Sequence, residues 1–260
     1  MRVIFPQSPL NEKEADDLFQ EEYLCLKSMG VECSLFDFDM VAFDEFKPKP
    51  PIKEKDIVLY RGWMMNPSLY NKFVSLVNLR GGKPVTSYGD YVKTHHLPNW
   101  YNDCEDFTAQ SAFFPVDEQL EANASKLGWG SFFVKDYVKS NYNERGSIAN
   151  STSQVTEVVN LIKEHRGEIE GGIALRRVED YLPETEQRFF VMFGKPYSPT
   201  REVPDVVKEI SKIVKAPFYS VDVIQRVDGV LRVVELGDGQ VSDRKMWDTQ
   251  VFCEMVADNA

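Results

Sequence analysis

Apolar positions recur along this chain at two periods, and the switches between them mark out its elements. Arg2 to Phe5 and Val31 to Phe38 are short apolar runs of strand type, while Ala15, Leu18, Phe19, Leu24 and Leu26 recur between them on one broad helical face. Asn11 with Glu14 three residues on forms a capping box, and Gly30 supplies a stop, so the pattern predicts a helix from Asn11 to Met29. Strand, helix and strand in that order imply a parallel pair joined by a crossover. A strand at Asp56–Arg61, a helix at Pro67–Arg80 and a short strand at Lys83–Thr86 follow, with KPKPP at 47–51 as a proline-stiffened connection. Residues 1–90 are therefore expected to form an α/β lobe with a mainly parallel sheet.

From residue 91 the pattern changes. Tyr91 to Asn102 is mixed and rich in Tyr, His and Trp. A helix is expected at Asp117–Leu127, and strands at Ser131–Val138, Ile173–Val178 and Glu186–Phe193. Helices are expected at Thr156–His165, Val203–Val214 and 244–256. Residues 91–260 thus read as an α+β domain with antiparallel strands. Strict alternation places Lys135 on one strand face with Phe133 and Tyr137, where a lysine needs a partner or must reach out to water. Ser140 to Ser153 is small and polar throughout, and a structureless loop of that length in a domain is a lid, a binding loop or disordered.

The strongest local signal is Asp228-Gly229 between two β-rich runs, Phe218 to Val241. A two-residue loop makes Val227 face Val230, Arg226 face Leu231, and Asp222 face Glu235. Directly opposed like charges repel, so a cation held between the two carboxylates, such as Mg2+, would explain the pairing. Two solvated carboxylates, or a bulge that breaks the register, are the alternatives.

Composition narrows the chemistry. The chain is 43% hydrophobic and 27% charged, an ordinary globular balance. A net charge of −11 argues against nucleic-acid or anionic-membrane partners, while leaving room for a nucleotide in a locally basic pocket. No apolar run approaches the roughly 18 residues of a membrane helix, and MRVIFPQSP reads as a first strand rather than a signal segment. Cys25, Cys33, Cys104 and Cys253 are scattered without a C-x-x-C pair, which makes a reducing cytoplasm the expected home. His95, His96 and His165 lack metal-ligand spacing, and His95-His96 reads as a loop or helix-end pair. Neither a G-x-S-x-G elbow nor a Walker loop occurs.

The order of parts is more specific than any one of them. FVKDY (133–137), LRRVEDY (175–181), ETEQRFFV (184–191) and VDV…VVELGDGQVS (221–242) together resemble the ATP-grasp superfamily, in its clade named for two arginines and one lysine. The resemblance covers residues 80–243 and places the N-terminal lobe where the family keeps its pre-ATP-grasp domain. It implies antiparallel sheets enclosing ATP. By the same resemblance Lys135 reaches the nucleotide phosphates, and Arg176 is the first clade arginine, with Arg177 beside it as the alternative. Val178, Glu179 and Tyr181 belong to the hinge along adenine, Glu186 serves ribose or anchors Arg188, and Arg188 meets the transferred phosphoryl group. Asp222 and Glu235 hold Mg2+. The family's usual asparagine two residues after that glutamate is Gly237 here, and Asp238 is the candidate third ligand.

The activity implied is that of a carboxylate–amine ligase acting through an acyl phosphate, with ADP and phosphate as co-products. Lys93, Lys139 and Arg145 are candidates for receiving an anionic substrate, with solvated surface charge as the alternative. The same clade also resembles an ATP-binding assembly factor of translation initiation, in which nucleotide supports protein docking without ligase turnover.

Overall fold

β1 (Arg2–Pro6) is buried along its whole length, as a strand covered on both faces must be. In this computed structural model, which describes residues 1–138 and 146–260 and of Arg166 the backbone only, β1 is an inner strand of a parallel sheet. Lys139, Arg145 and the first part of the polar 140–153 segment lie outside the described residues. α1 (Gln20–Ser28) leads to β2 (Glu32–Phe36), and β3 (Ile57–Tyr60), α2 (Pro67–Leu79) and β4 (Lys83–Pro84) follow. The sheet order is β2-β1-β3-β4, every pair parallel, as the strand–helix–strand pattern predicts.

Two short helices, α3 (Tyr88–His95) and α4 (Leu97–Cys104), resolve the mixed aromatic stretch. Next come β5 (Ser111–Phe114), α5 (Leu120–Lys126), β6 (Phe132–Asp136), β7 (Ile148–Ala149), α6 (Thr152–Arg166) and β8 (Ile173–Arg177). β5, β8, β6 and β7 form an antiparallel sheet in that order. The last elements are β9 (Tyr181–Met192), β10 (Lys195–Tyr197), α7 (Asp205–Ile213), β11 (Phe218–Arg226), β12 (Leu231–Asp238) and α8 (Thr249–Ala257), with sheet order β10-β9-β11-β12.

Contacts divide the chain into one unit of residues 1–92, 188–221 and 237–260, and a second of 93–187 and 222–236. The first break falls close to the residue-90 boundary, but the chain then re-enters the first unit twice, which linear patterning does not display. The first unit packs Val3 and Phe5 of β1 with Phe190, Phe218, Trp247 and Phe252 in one core. The second unit packs Phe132 and Val134 of β6 with Val155, Val158 and Ile162 of α6.

The first helix begins at Gln20, not near Asn11. Asn11 Oδ1 accepts from the Lys13 N–H at 3.1 Å, but Ala15 pairs with Gln7 as an antiparallel bridge and gives its N–H to Gln20 Oε1 at 2.8 Å. Residues 11–19 therefore fold back along the end of β1, where tertiary pairing overrides the capping-box signal.

The hairpin loop differs as well. Gly229 N–H donates to the Arg226 carbonyl and Arg226 N–H to that of Val230, both at 2.8 Å, so the loop has three residues and Arg226 faces Val230 rather than Leu231. At the far end Gly239 N–H donates to Phe218 O at 3.1 Å, the register the sequence predicts. β12 thus carries one extra residue. The consecutive carbonyls of Val233 and Val234 in β12 are both taken by side chains, those of Thr108 and Arg176. Alternation from Gly237, whose added Cβ would lie 2.9 Å from Ser220 Oγ, keeps Glu235 on the face of Ser220 and Asp222.

Gly229 has φ +88°, and the space around it is open to a methyl group, so the cost of a side chain there is backbone strain. Gly229→Ala is expected to cost about 1–2 kcal/mol in urea unfolding; an unchanged midpoint would show that the left-handed turn is dispensable.

Candidate active site

Four residues of the second unit converge on one face of the β5-β8-β6-β7 sheet. Lys135 pairs with Ala174 and Phe133 with Arg176, so alternation puts Lys135 and Arg176 on the same face, one step apart along the strands. Lys135 is only 5% exposed, and its ammonium donates to Glu235 Oε1 at 2.7 Å. This is the partner the buried strand lysine requires. Among the described residues only Oε1 of Glu235 is hydrogen-bonded, and the side chain is 38% exposed, so its second oxygen is open.

Of the two adjacent arginines, Arg176 is buried and Arg177 exposed. Arg176 Nη1 donates to the Val234 carbonyl at 2.5 Å and its Nη2 to Thr108 Oγ1 at 2.6 Å, while its buried Nε has no partner. Burial pushes the guanidinium below the usual arginine range, with Tyr181, Glu235 and Glu179 pulling the other way. Arg177 points elsewhere, exposed and lining a cleft. Thr108, whose hydroxyl also donates to the Val233 carbonyl at 2.6 Å, joins Arg176 to β12, and no sequence pattern singles it out.

That cleft, about 650 Å³, lies entirely within the second unit and is lined by Val178, Glu179 and Asp180 of the expected hinge, together with Thr108, Arg177 and Arg232 among others. Arg232 grips Glu179 with Nε and Nη2 at 3.1 and 3.2 Å and donates to the carbonyls of Asp106 and Thr108. Tyr181 donates its hydroxyl to Glu179 Oε2 at 2.8 Å, and burial above all pushes that hydroxyl up to about 12. Tyr181 and Arg232 thus both bond to Glu179 within the segment expected to be the hinge. Arg232 carries no sequence signal beyond a charge in a hairpin.

The remaining expected residues are placed differently. Asp222 is buried and Glu186 exposed, both in the second unit. Arg188 falls in the first unit, where its Nη1 donates to Asp243 Oδ1 at 2.9 Å and to the Asp243 carbonyl at 3.1 Å. Asp238 also falls in the first unit, fully buried, with Oδ1 accepting from the backbone N–H and Nε2 of Gln240 at 3.0 Å each, and with Oδ2 unpartnered. Among the described residues no three of His, Cys, Asp and Glu are grouped to hold a metal ion. The trio of Asp222, Glu235 and Asp238 is therefore not gathered: Glu235 is paired with Lys135, and Asp238 holds the turn at Gln240.

Burial pushes the Asp238 carboxyl up to about 7, although the two Gln240 hydrogen bonds pull it down. The folded protein therefore holds this proton more tightly than the unfolded chain. The stabilisation is fully present below about pH 4, the ordinary aspartate range, and is lost as pH rises towards 7. In EDTA, Asp238→Asn is expected to flatten the fall of melting temperature between those values. An equally steep profile in the variant would mean that Asp238 does not titrate there.

Residues 126–256, half of the chain, match the ATP-grasp domain of R2K clade family 3. Three solved structures illustrate the likeness in fold. The macrocyclase MdnC of Microcystis aeruginosa, bound with its precursor peptide MdnA, is 12% identical, with a TM-score of 0.60 and 100% of both chains covered. D-alanyl-alanine synthetase A of Vibrio cholerae is 10% identical, with a TM-score of 0.63 and coverage of 100% of this chain and 98% of that one. The ATP-grasp ligase PsnB, complexed with minimal precursor, Mg and ADP, is 12% identical, with a TM-score of 0.62 and coverage of 98% and 96%. No curated protein sequence matches the chain.

Proposed function

The chain belongs to family 3 of the R2K clade of ATP-grasp domains, and from that premise we propose that it is an ATP- and Mg2+-dependent ligase joining a carboxylate to an amine. The observation that carries this reading is the shared sheet face on which Lys135, Arg176 and Glu235 meet. A buried ammonium and a carboxylate with one open oxygen form a charge pair that can be parted by a phosphate on one side and a hard cation on the other. The solved structures of similar fold support it: one is a macrocyclase bound with its precursor peptide, one a D-alanyl-alanine synthetase, and one an ATP-grasp ligase complexed with Mg and ADP.

The roles follow from each side chain's chemistry. Lys135 takes the nucleotide phosphates as a point charge, and Arg176 holds the β12 backbone at Val234, next to Glu235. The backbone of Val178 to Tyr181 lies along adenine, fixed by Glu179 and Arg232. Glu186 serves the ribose, and Arg188 binds the transferred phosphoryl group in its guanidinium fork. Asp222 and Glu235 offer the oxygen ligands that suit Mg2+. When bound, Mg2+ neutralises charge on the phosphoryl oxygens. The substrate carboxylate attacks the γ-phosphorus and ADP leaves; the amine then attacks the acyl carbon and phosphate leaves. The chain's residues position the reactants and supply no nucleophile of their own.

Thermal unfolding with ATP plus Mg2+, ATP plus EDTA, and Mg2+ alone tests nucleotide binding. A ligand at 100 times its Kd adds about 2.7 kcal/mol, so a rise of several degrees is expected with both components and a smaller one with ATP in EDTA. Phosphate release across a library of carboxylates and amines then tests turnover. No thermal shift would overturn the reading; a shift without phosphate release on any pair would favour a nucleotide-bound docking protein instead.

A further inference from the structure

Helices α1 and α8 cross in the first unit with a cysteine from each at the crossing. The Cys25 thiol donates to Gln250 Oε1 on α8 at 3.5 Å, and the Cys253 thiol donates to the Glu22 carbonyl on α1 at 3.8 Å. Gln250 lies three residues before Cys253, and Glu22 three before Cys25. Each thiol therefore bonds to the helical turn that carries the other on the same face. Burial first, and then the neighbouring Cys25, pushes the Cys253 thiol upward. Cys25 is half-buried, whereas Cys253 is buried in the core shared by Phe190, Trp247 and Phe252.

We propose that Cys25 and Cys253 are a redox-active pair that a hydroperoxide converts into an intramolecular disulfide clamping α1 to α8. The partly exposed Cys25 is the group a small oxidant can reach. Its thiolate attacks the peroxide O–O bond, an alcohol leaves, and a sulfenic acid forms on Cys25. The Cys253 sulfur then attacks the Cys25 sulfur, giving up its proton as water departs. In sum two thiols lose two protons and two electrons, and one hydroperoxide becomes one alcohol and one water.

The other two cysteines make natural controls. Cys33 and Cys104 are buried, burial pushes each thiol up to about 12, and neither has a thiol neighbour among the described residues. The pair also has a structural reach. The Glu22 side chain, on the turn that Cys253 touches, binds Arg61, whose Nη1 holds the carbonyls of Gly239, Gln240 and Ser242. A covalent clamp at the helix crossing would fix the loop that follows β12.

The test uses the full chain, reduced and then exposed to hydrogen peroxide, and needs no nucleotide, so its outcome is independent of the proposed ligase activity. Intact mass is expected to fall by about 2 Da, the two hydrogens lost on oxidation. Peptide mapping should find Cys25 linked to Cys253, and dithiothreitol should reverse both changes. Cys25→Ser and Cys253→Ser should each abolish the loss of mass, whereas Cys104→Ser should not. Maleimide labelling of the wild type supplies a measurement that does not depend on variants folding: Cys25 should label before peroxide, fail to label after it, and label again on reduction. Gain of one to three oxygens on Cys25 without the link, or covalent dimers in place of the internal bridge, would overturn the proposal.

Discussion

Glu22→Ala is expected to destabilise the protein by about 3–5 kcal/mol, the loss that follows when a buried ion pair is left with one uncompensated charge. Glu22 and Arg61 are 2% and 1% exposed, and two bonds of 2.8 and 2.9 Å join them as a guanidinium–carboxylate fork. Arg61 cannot turn to water, because its Nη1 is fixed by three carbonyls of residues 239–242 and its guanidinium lies 4.7 Å from the Phe252 ring. Arg244 Nε, 3.0 Å from Glu22 Oε1, would lose its partner too. Total stability of a domain is about 5–15 kcal/mol, so the variant should lose a large share of it. Guanidinium unfolding measures the effect, with Glu209→Ala as the control: the exposed Lys212–Glu209 pair should contribute less than about 1 kcal/mol. A Glu22→Ala midpoint as close to wild type as the control's would show that the buried pair does not hold this unit.

How much of this was legible in the sequence depends on whether the signal was local. The parallel lobe was, because fully buried strands read as apolar runs and its crossover helix reads by period. The lysine in FVKDY was, because alternation forces a buried face and a buried ammonium requires a partner. The hairpin was legible as a hairpin but not in its register: Asp-Gly fits both a two-residue loop and a three-residue loop closed by a left-handed glycine. The extra residue that restores the far register leaves no mark in β12 itself, and the Thr108 and Arg176 side chains that hold its carbonyls lie more than 50 residues away along the chain. β5 was missed because SAFF is four residues with no alternation, and it exists by pairing with β8. The start of α1 was misplaced for the complementary reason, a sound capping signal overridden by the bridge between Gln7 and Ala15. Arg61 read as the end of a strand, and nothing nearby in sequence indicates that Glu22 would meet it.

Lys135→Met is expected to weaken ATP binding by about 10–100-fold, since a hydrogen bond between charged groups contributes about 1.5–3 kcal/mol. The argument rests on where the ammonium stands. It is held on the inner sheet face at 5% exposure, already desolvated, and its carboxylate partner has a second oxygen free. Methionine keeps the length and apolar stem of the side chain, so the packing against the strand is preserved while the charge is removed. Glu235, 38% exposed, can then turn to water, which keeps the stability loss small and separates a binding defect from unfolding. Lys135→Arg should not restore affinity, because a planar fork does not fit a site built around a compact ammonium. Glu235→Gln completes the comparison: nucleotide binding in EDTA should persist while the gain on adding Mg2+ disappears, because an amide oxygen is a weaker ligand for a hard cation than a carboxylate. Isothermal titration with and without Mg2+ reads both effects. Wild-type affinity in Lys135→Met would remove the lysine from the nucleotide site, and an undiminished Mg2+ effect in Glu235→Gln would remove the carboxylate from the metal. If both variants behave as expected, the salt bridge between them is the closed form of a site that ATP and Mg2+ open from opposite sides.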